Sequence, residues 1–501
     1  GYKLLYWTWS RVADTRSLSK VLPYLLLPVF LASVWITVCR LANTVAAWAA
    51  VALCLSSTYF LWRLTGGLPR AFGAVIIGVA AMSLTLGRPI LLAAVTCLGA
   101  ALYPVVGLVS GIVLAAYLLL FPAVDRKGTE HWSVRRRLLV VGITAILSAG
   151  LVLPTLLRTH TYGSLIRPGE ISTYPEAGPG GRYEPKDLPP YKGFGAEAWN
   201  LIRQTLVAKI GPLEARPWPY VTGWMRGQDY AAGPAVQTLL IATVCLGIIG
   251  SAMLAFGDPA ARRLLLLLFA ALIGHVIALA VAPALYVPAR YADYPIPVLA
   301  VILIPAGAWA LGGFLARRLR WPCGQTVFVV TICLVCLLGL GSRVHPTNGF
   351  SVQIPKKDTI YPFLASLPGD AMIAGWPYGL LDSVPYLSKR RTLMTYETHA
   401  VLHEKFVMEM RRRMTALLAA YYATDLTPLN QLRDQFGVTH LVVNLNYYEV
   451  PPWYFKPFAR NTLEAFRASR SGGIEVKRHL EQAIHREGDF AVLDLHLLKE
   501  P

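Results

Sequence analysis

Long apolar stretches recur along the first two thirds of the chain and stop near residue 342. Ten of them are each close to the ~20 residues that cross a bilayer core: 21–39, 43–62, 71–87, 89–104, 105–122, 138–157, 235–256, 264–282, 294–313 and 325–342. A helix in a soluble core keeps a polar stripe. A helix in lipid has no water to solvate one and stays apolar all round. The third to fifth stretches are short and closely spaced, which leaves room for a re-entrant hairpin. After residue 343 the apolar runs shorten to strand length. Ala371–Gly375, Thr392–Tyr396, Thr439–Leu445 and Phe490–Leu495 read as strands. Thr398–Ala423 reads as a helix, with Leu402, Phe406, Met410, Met414, Leu417 and Tyr421 along one face. Another helix opens at Thr427-Pro428 and closes at Gly437. The alternation predicts a small α/β domain with a partly parallel sheet. The expected fold class is therefore a polytopic α-helical membrane protein, 21–342, followed by a C-terminal α/β domain, 343–501.

Composition supports this picture. Hydrophobic residues make up 55% of the 501 residues and charged residues 15%, and mean hydropathy is +0.48. A soluble protein carries about 25% charge, and a disordered chain needs low hydrophobicity. The net charge of +19 could suggest nucleic acid, but the basic residues gather in short loops. DRKGTEHWSVRRR spans 125–137, Arg262 and Arg263 form a second group, and Arg317, Arg318 and Arg320 a third. The positive-inside rule makes all three cytoplasmic, and an even number of spans separates them. The opposite, external side then holds 158–234, 283–293 and everything after 342, which leaves nucleic acid without a role.

The same parity puts residues 1–20 outside. With Trp7, Trp9 and mixed charges they read as the end of an external loop lying at the membrane interface. The start at Gly1 then implies an earlier span. The competing reading is a cytoplasmic amphipathic start, with a re-entrant pair restoring parity. All seven cysteines lie in or beside spans, and the Cys333/Cys336 pair reads as packing residues rather than a redox couple. The long Pro/Gly/Tyr-rich loop 158–234 exceeds a passive connector. Within it Trp199, Ile202, Leu206 and Ile210 predict a short surface helix.

Three segments carry a family resemblance: VPARYADYPIPVLAV at 287–301, TGGLPRAFG at 65–73 followed by ALYPVVGL at 101–108, and GWPYG at 375–379 followed by Asp382, Arg390 and Arg391. With the many spans and the external α/β domain, they resemble the GT-C membrane glycosyltransferases. These take a sugar from a polyprenyl-phosphate carrier at the external face. Arg290-Tyr291 followed by Pro295 looks like the external RY…P element of that family. GWPYG is similar to the WWDYG segment of oligosaccharyltransferases, with Pro377 in place of the acid. The resemblance makes Trp376, Tyr378, Asp382 and Arg391 acceptor-side candidates. It places the catalytic acid in the first external loop, ahead of Gly1. Asp14, the one acidic residue in the remnant of that loop, is a weak substitute.

Sugar transfer from a lipid phosphate needs a base, or a metal held by an acid, to activate the acceptor hydroxyl. It also needs positive groups for the departing phosphate, a role that suits Arg. Arg290 and Tyr291 stand at the predicted external boundary, with Arg158 and His160 at the same depth. The plainer reading of these residues is interfacial snorkelling. His399 and His403 are one helical turn apart and could share a metal, but no third ligand is evident and a polar helix face explains them. Whether a divalent cation takes part is left open. Arg411–Arg413 reads as a solvated face. No Walker A, G-x-G-x-x-G or GxSxG segment is present, and no internal repeat supports a secondary transporter. The leading expectation is a glycosyltransferase, hexosyl or pentosyl, in a bacterial plasma membrane, with lipids and a polyprenyl-phosphate-linked sugar as partners. A non-catalytic scaffold subunit of a larger membrane complex comes second and a transporter third.

Overall fold

The structure, a computed structural model, describes residues 1–56, 58–121, 132–167, 169–182, 217–218, 230–231, 234–281, 285, 288–341 and 360–498. The chain divides into two compact units. One comprises Gly1–Arg158, Tyr191–Ile277 and Pro288–Val352, and the other Thr159–Pro190, Ala278–Val287 and Gln353–Pro501.

The first unit is a bundle of apolar helices. Each of the ten apolar stretches falls on helix. Among the described residues, four helices are long and apolar enough to cross a membrane: Thr15–Leu41, Val134–Tyr162, Pro259–Ala280 and Arg290–Leu319. Phe72–Thr85 and Pro89–Leu102 have 14 residues each, a rise of about 21 Å against a ~30 Å core. Ten crossings therefore remain an expectation of the sequence. The stretch 43–62 is two helices, Thr44–Ser56 and Thr58–Leu64. Prolines open Pro89–Leu102, Pro104–Leu120 and Pro295–Leu319, where the missing N–H costs nothing. Val134–Thr159 has one buried residue, Thr144. The predicted helix around Trp199–Ile210 lies outside the described residues.

Helix directions fix where charge falls within this unit. Phe72–Thr85, Pro104–Leu120 and Pro295–Leu319 all start beside Tyr294: Gly73 abuts its ring, and Tyr103 meets it edge-on at 5.7 Å. Their far ends carry basic groups. Arg263 donates to the Thr85 carbonyl at 3.3 Å, Arg137 donates to the Phe121 carbonyl at 3.5 Å, and Arg317 and Arg318 occupy the last turn of Pro295–Leu319. The described members of the three basic runs thus share one end of the bundle.

The second unit is α/β. We label its strands β1 (Met372–Gly375), β2 (Arg391–Thr392), β3 (His440–Asn444), β4 (His485–Glu487) and β5 (Phe490–Asp494). The sheet order is β2-β1-β3-β5-β4, parallel across β2-β1-β3 and antiparallel across β3-β5-β4. Side chains alternate across it. Leu441 and Val443 face a layer with Met410, Met414, Leu417 and Tyr421 of helix Glu404–Tyr421. Val442 faces Ile360, Tyr361, Leu364, Leu381 and Val384. Covered on both sides, β3 reads as a continuous apolar run.

Two boundaries differ from the sequence expectation. The strand expected at Thr392–Tyr396 is confined to Arg391–Thr392, because Thr395 and Thr398 close a side-chain turn: the Thr395 N–H donates to the Thr398 hydroxyl at 2.9 Å. The helix expected from Thr398 begins at Glu404, because the chain turns at 396–398, bends at 401–402 and becomes extended at His403, which forms a bridge with Leu165. Helix Phe458–Gly472 and strand β4 were not anticipated.

The tightest approach in the first unit lies between Pro89–Leu102 and Pro104–Leu120. A Cβ on Gly99 would lie 2.8 Å from the Gly107 Cα, and one on Gly107 would meet the Ala100 backbone. Gly111 has only ordinary contact, 3.5 Å from Thr96. Gly107→Leu is expected to lower stability by about 1–3 kcal/mol or more through overpacking, read as a fall in thermal midpoint in detergent, while Gly111→Ala holds the wild-type midpoint.

Candidate functional site

Two polar constellations stand out, one in each unit. In the first unit, Arg63 lies in the last turn of Thr58–Leu64, and two 3₁₀ turns, Thr65–Gly67 and Pro69–Ala71, lead into Phe72–Thr85. Gly67 takes φ +56, a left-handed turn suited to glycine. Its carbonyl accepts from the hydroxyls of Tyr2 and Tyr6. Gly73 leaves the notch in which Tyr294 sits, since a Cβ there would lie 2.5 Å from the ring. The segments 65–73, 101–108 and 290–295, far apart in sequence, thus meet at Tyr294.

Charge concentrates around that ring. The Arg63 guanidinium pairs with the Asp293 carboxylate at 3.3 Å, with both side chains largely buried. The Tyr59 hydroxyl donates to the Asp293 carbonyl. Arg63 also lies 5.2 Å from the Trp62 ring, 5.3 Å from Tyr59 and 5.7 Å from Tyr294, while Arg70 stacks on Trp62 at 4.6 Å. Arg63 and Arg290 both lie within electrostatic range of Arg70. Three guanidiniums gather here, and one of them, Arg63, is paired with a carboxylate. The hydroxyls of Tyr103 and Tyr294 are buried with no hydrogen-bond partner among the described residues, an arrangement that costs free energy unless an acceptor arrives. The result is a cationic, tyrosine-lined end of an apolar bundle, opposite the three basic runs. It can take an anionic group carried on an apolar chain.

Of the residues predicted for the carrier phosphate, Arg290 and Tyr291 belong here, and the Tyr291 ring packs on Gly274. Arg158 ends helix Val134–Thr159, and His160 starts a 3₁₀ turn in the other unit. Arg63, Arg70, Asp293, Tyr59, Tyr103 and Tyr294 were not singled out from the sequence. The signal was present, however, in the Arg63 and Arg70 flanking TGGLP and in the Asp293-Tyr294 inside the RY…P element. Asp14 caps helix Thr15–Leu41: its carboxylate accepts the Arg16 N–H at 2.9 Å and pairs with the Arg16 guanidinium at 2.8 Å.

In the second unit, GWPYG lies at the carboxyl end of β1, the edge where parallel sheets present ligands. The Trp376 indole is buried and donates to the Trp453 carbonyl at 3.1 Å. Tyr378 sits 5.3 Å from Tyr396 and 5.4 Å from Trp453, ring to ring. Asp382 accepts from the backbone N–H groups of Gly379 and Glu397, each at 3.3 Å. Its burial raises its pKa, and those two N–H groups pull it back. Arg391 is apart from this group. It pairs with Met372 at the amino end of β1, and its guanidinium donates to the Asp370 carbonyl at 2.8 Å.

The segment 159–182 is strapped to this unit. Glu176 is fully buried and receives both arms of Arg411, at 2.5 and 2.6 Å. The Lys456 N–H donates to the Gly180 carbonyl at 2.8 Å. The strap delivers Arg182, whose guanidinium stacks on Tyr396 at 3.9 Å and reaches Glu397 at 3.5 Å. Of Arg411–Arg413, expected as a solvated face, Arg411 turns onto the strap while Arg412 stays exposed. Arg411 neutralises a buried acid, and Arg412 and Arg413 both pair with Glu409.

His399 and His403 do not share a helix face, because both precede Glu404. His399 is buried, with Nδ1 3.2 Å from the Tyr454 hydroxyl and its ring between Phe455 and Phe458. His403 Nδ1 lies 3.1 Å from the Gly163 carbonyl. Among the described residues no group of three or more His, Cys, Asp or Glu side chains is placed to hold a metal. Burial, helped by Arg182 and Arg411, pushes His399 down to about 3.

No family model matches the chain, and no curated protein matches its sequence. Solved structures of an archaeal oligosaccharyltransferase from Archaeoglobus fulgidus are similar to it. The AglB complex with an inhibitory peptide and a dolichol-phosphate shares 14% identity at a TM-score of 0.44, covering 86% of this chain and 59% of that one. The apo form shares 13% at 0.44, covering 87% and 59%. The form tethered to an acceptor peptide containing the NVT sequon shares 14% at 0.42, covering 87% and 58%. These neighbours are GT-C superfamily glycosyltransferases, the family that the three sequence segments resemble. At these values the likeness is remote, and the chain spans under two thirds of their length.

Two outcomes follow from the second unit. With Glu176 fully buried, Arg411→Leu strands a carboxylate and is expected to cost about 3–5 kcal/mol, read as a lowered thermal midpoint that Glu176→Gln in the same chain partly restores. The folded pKa of His399, about 3, lies below the unfolded value of about 6.5. Its contribution is therefore complete above ~6.5 and is lost as pH falls from there toward 3, by up to about 1.4 kcal/mol per pH unit. The fall in thermal midpoint between pH 7 and pH 5 is expected to be smaller in His399→Phe than in wild type.

Proposed function

We propose that the chain is a multi-pass membrane glycosyltransferase that moves a sugar from a polyprenyl-phosphate carrier to an acceptor on the external face. The observation that carries this reading is the cluster of Arg63, Arg70 and Arg290 beside the hydroxyls of Tyr103 and Tyr294, which have no hydrogen-bond partner among the described residues. It stands at the bundle end opposite Arg137, Arg263 and Arg317. The positive-inside rule assigns the basic end to the cytoplasm and hence the cluster to the external face, where a lipid phosphate would lie. The apolar helices would accept the prenyl chain and the guanidiniums its phosphate.

In such a transfer the acceptor oxygen bonds to the anomeric carbon, and the carbon–oxygen bond to phosphate breaks. The phosphate leaves with the electron pair. Arginines fixed by Asp293 and the surrounding rings would stabilise that developing charge without having to reorganise. Tyrosine hydroxyls can donate to the same oxygens. Asp293 serves to hold Arg63, and Asp14 to cap a helix, so neither is assigned as the base that takes the acceptor proton. Arg158 is retained as a secondary phosphate contact; in the second unit Tyr378 is retained for the acceptor, with Trp376 and Asp382 shaping its loop. Arg391, at the other end of β1, is not retained.

The test uses the full chain in lipid nanodiscs with a polyprenyl-phosphate sugar. Arg63→Ala and Arg290→Ala are each expected to weaken carrier binding about 10- to 100-fold, the value of one charge-assisted contact, and to reduce turnover with it. Unchanged binding in both variants would overturn the assignment. Carrier binding without turnover in the wild type would mark a non-catalytic subunit.

A further inference from the structure

The aromatic group at the carboxyl end of β1 has an unusual surface. Trp453 and Tyr378 are 58% and 49% exposed, yet neither is loose. Trp453 lies 5.4 Å from Tyr378, 5.9 Å from Tyr396 and 6.3 Å from Tyr454, and its carbonyl is held by the buried Trp376 indole. Tyr396 in turn packs on Tyr454 and Phe455. Large rings left wet singly need no explanation, but adjoining rings fixed from below form a stiff patch.

The rim of this patch is polar and oriented. Glu397 has a side chain 76% exposed beside Tyr396, and it pairs with Arg182 at 3.5 Å. Arg182 lies flat on Tyr396, and its Nε is buried without a hydrogen-bond partner among the described residues. Asp382, by contrast, has its oxygens engaged by two backbone N–H groups, so it shapes the loop rather than offering itself to a ligand. Exposed ring faces, set edge-to-face or tilted and bordered by one carboxylate and one guanidinium, suit a ligand with an apolar C–H face and a hydroxylated edge. A sugar ring has both. Its axial hydrogens lie on one exposed ring face, Trp453 or Tyr378, with the other rings at its edge; a carboxylate accepts from two adjacent hydroxyls, and a guanidinium donates to ring and hydroxyl oxygens. An apolar peptide side chain would match the rings but leave Glu397 and Arg182 unanswered.

We infer that Tyr378, Tyr396 and Trp453, with Glu397 and Arg182, form a carbohydrate-binding platform. Saccharide binding there stands on its own geometry. That the bound saccharide is the acceptor, which would make this enzyme extend a glycan, rests on the function proposed above.

The experiment applies the detergent-solubilised full chain to an array of hexopyranose and pentofuranose oligosaccharides, with the NVT-containing peptide as a counter-probe. The strongest sugar is then titrated by tryptophan fluorescence. Binding of at least one saccharide is expected. Trp453→Ala and Glu397→Gln are each expected to weaken it about tenfold, the scale of one good ring or charged contact, with an unchanged thermal midpoint showing that the unit stays folded. Tyr378→Ala gives a second reading should Trp453→Ala unfold. Binding of the peptide but no saccharide, binding of neither, or saccharide affinity equal to wild type in the folded variants would overturn the platform. The same preparations are assayed for polyprenyl-phosphate sugar. Saccharide binding without carrier binding would sink the transferase reading and leave the platform standing. Carrier turnover without saccharide binding would do the reverse.

Discussion

Hydrocarbon does not tolerate an unpaired charge, and the first unit is arranged around that constraint. Its helices are apolar on every side, and their Arg, Lys and Asp side chains gather toward the two ends of the bundle. At one end they spread along turns as isolated basic runs. At the other they converge, and the Arg63–Asp293 pair with its surrounding tyrosines allows three guanidiniums to sit close together without flying apart. The backbone turns there, glycine at 67 and 73 and proline at 69 and 295, bring those side chains to one point. The pair is thus both the electrostatic keystone of the cluster and the latch between the 58–73 and 290–295 segments.

The second unit solves a different problem with similar means. A soluble-type sheet needs both faces covered, and β3 is covered by helices. Its carboxyl edge is finished by a segment from much earlier in the chain. Glu176, fully buried against Arg411, anchors that segment. Arg182 reaches Tyr396 only because the anchor holds. The polar groups of this edge therefore come from three stretches, around 182, 376–397 and 453.

Periodicity was enough to read the helical bundle, the alternation of strands and helices, and the core face of Glu404–Tyr421, because burial imposes those patterns directly. The start of that helix is six residues later than the apolar spacing predicts, since 398–403 turns and bends and is tied to the strap at Leu402 and His403. Arg290 and Trp376 could be picked out because each sits in a recognisable segment. Arg63, Arg70 and Asp293 could not be joined from sequence, because an ion pair spanning 230 positions leaves no local trace. Arg411 was misread for the same reason: its acid partner is 235 positions away, in a loop with no regular pattern. The histidines misled because an i, i+4 spacing carries meaning only inside a helix, and both fall before one begins.

The notch at Gly73 has an evolutionary corollary. Tyr294 fills the volume that any side chain at 73 would need, so neither position can drift alone. Enlarging residue 73 is open only to a lineage that has already shrunk residue 294, and such a lineage would give up the ring that meets Tyr103 and faces Arg63. Distant homologues should therefore keep the small–aromatic couple intact or exchange it as a unit. That paired inheritance would be a mark of kinship with this chain.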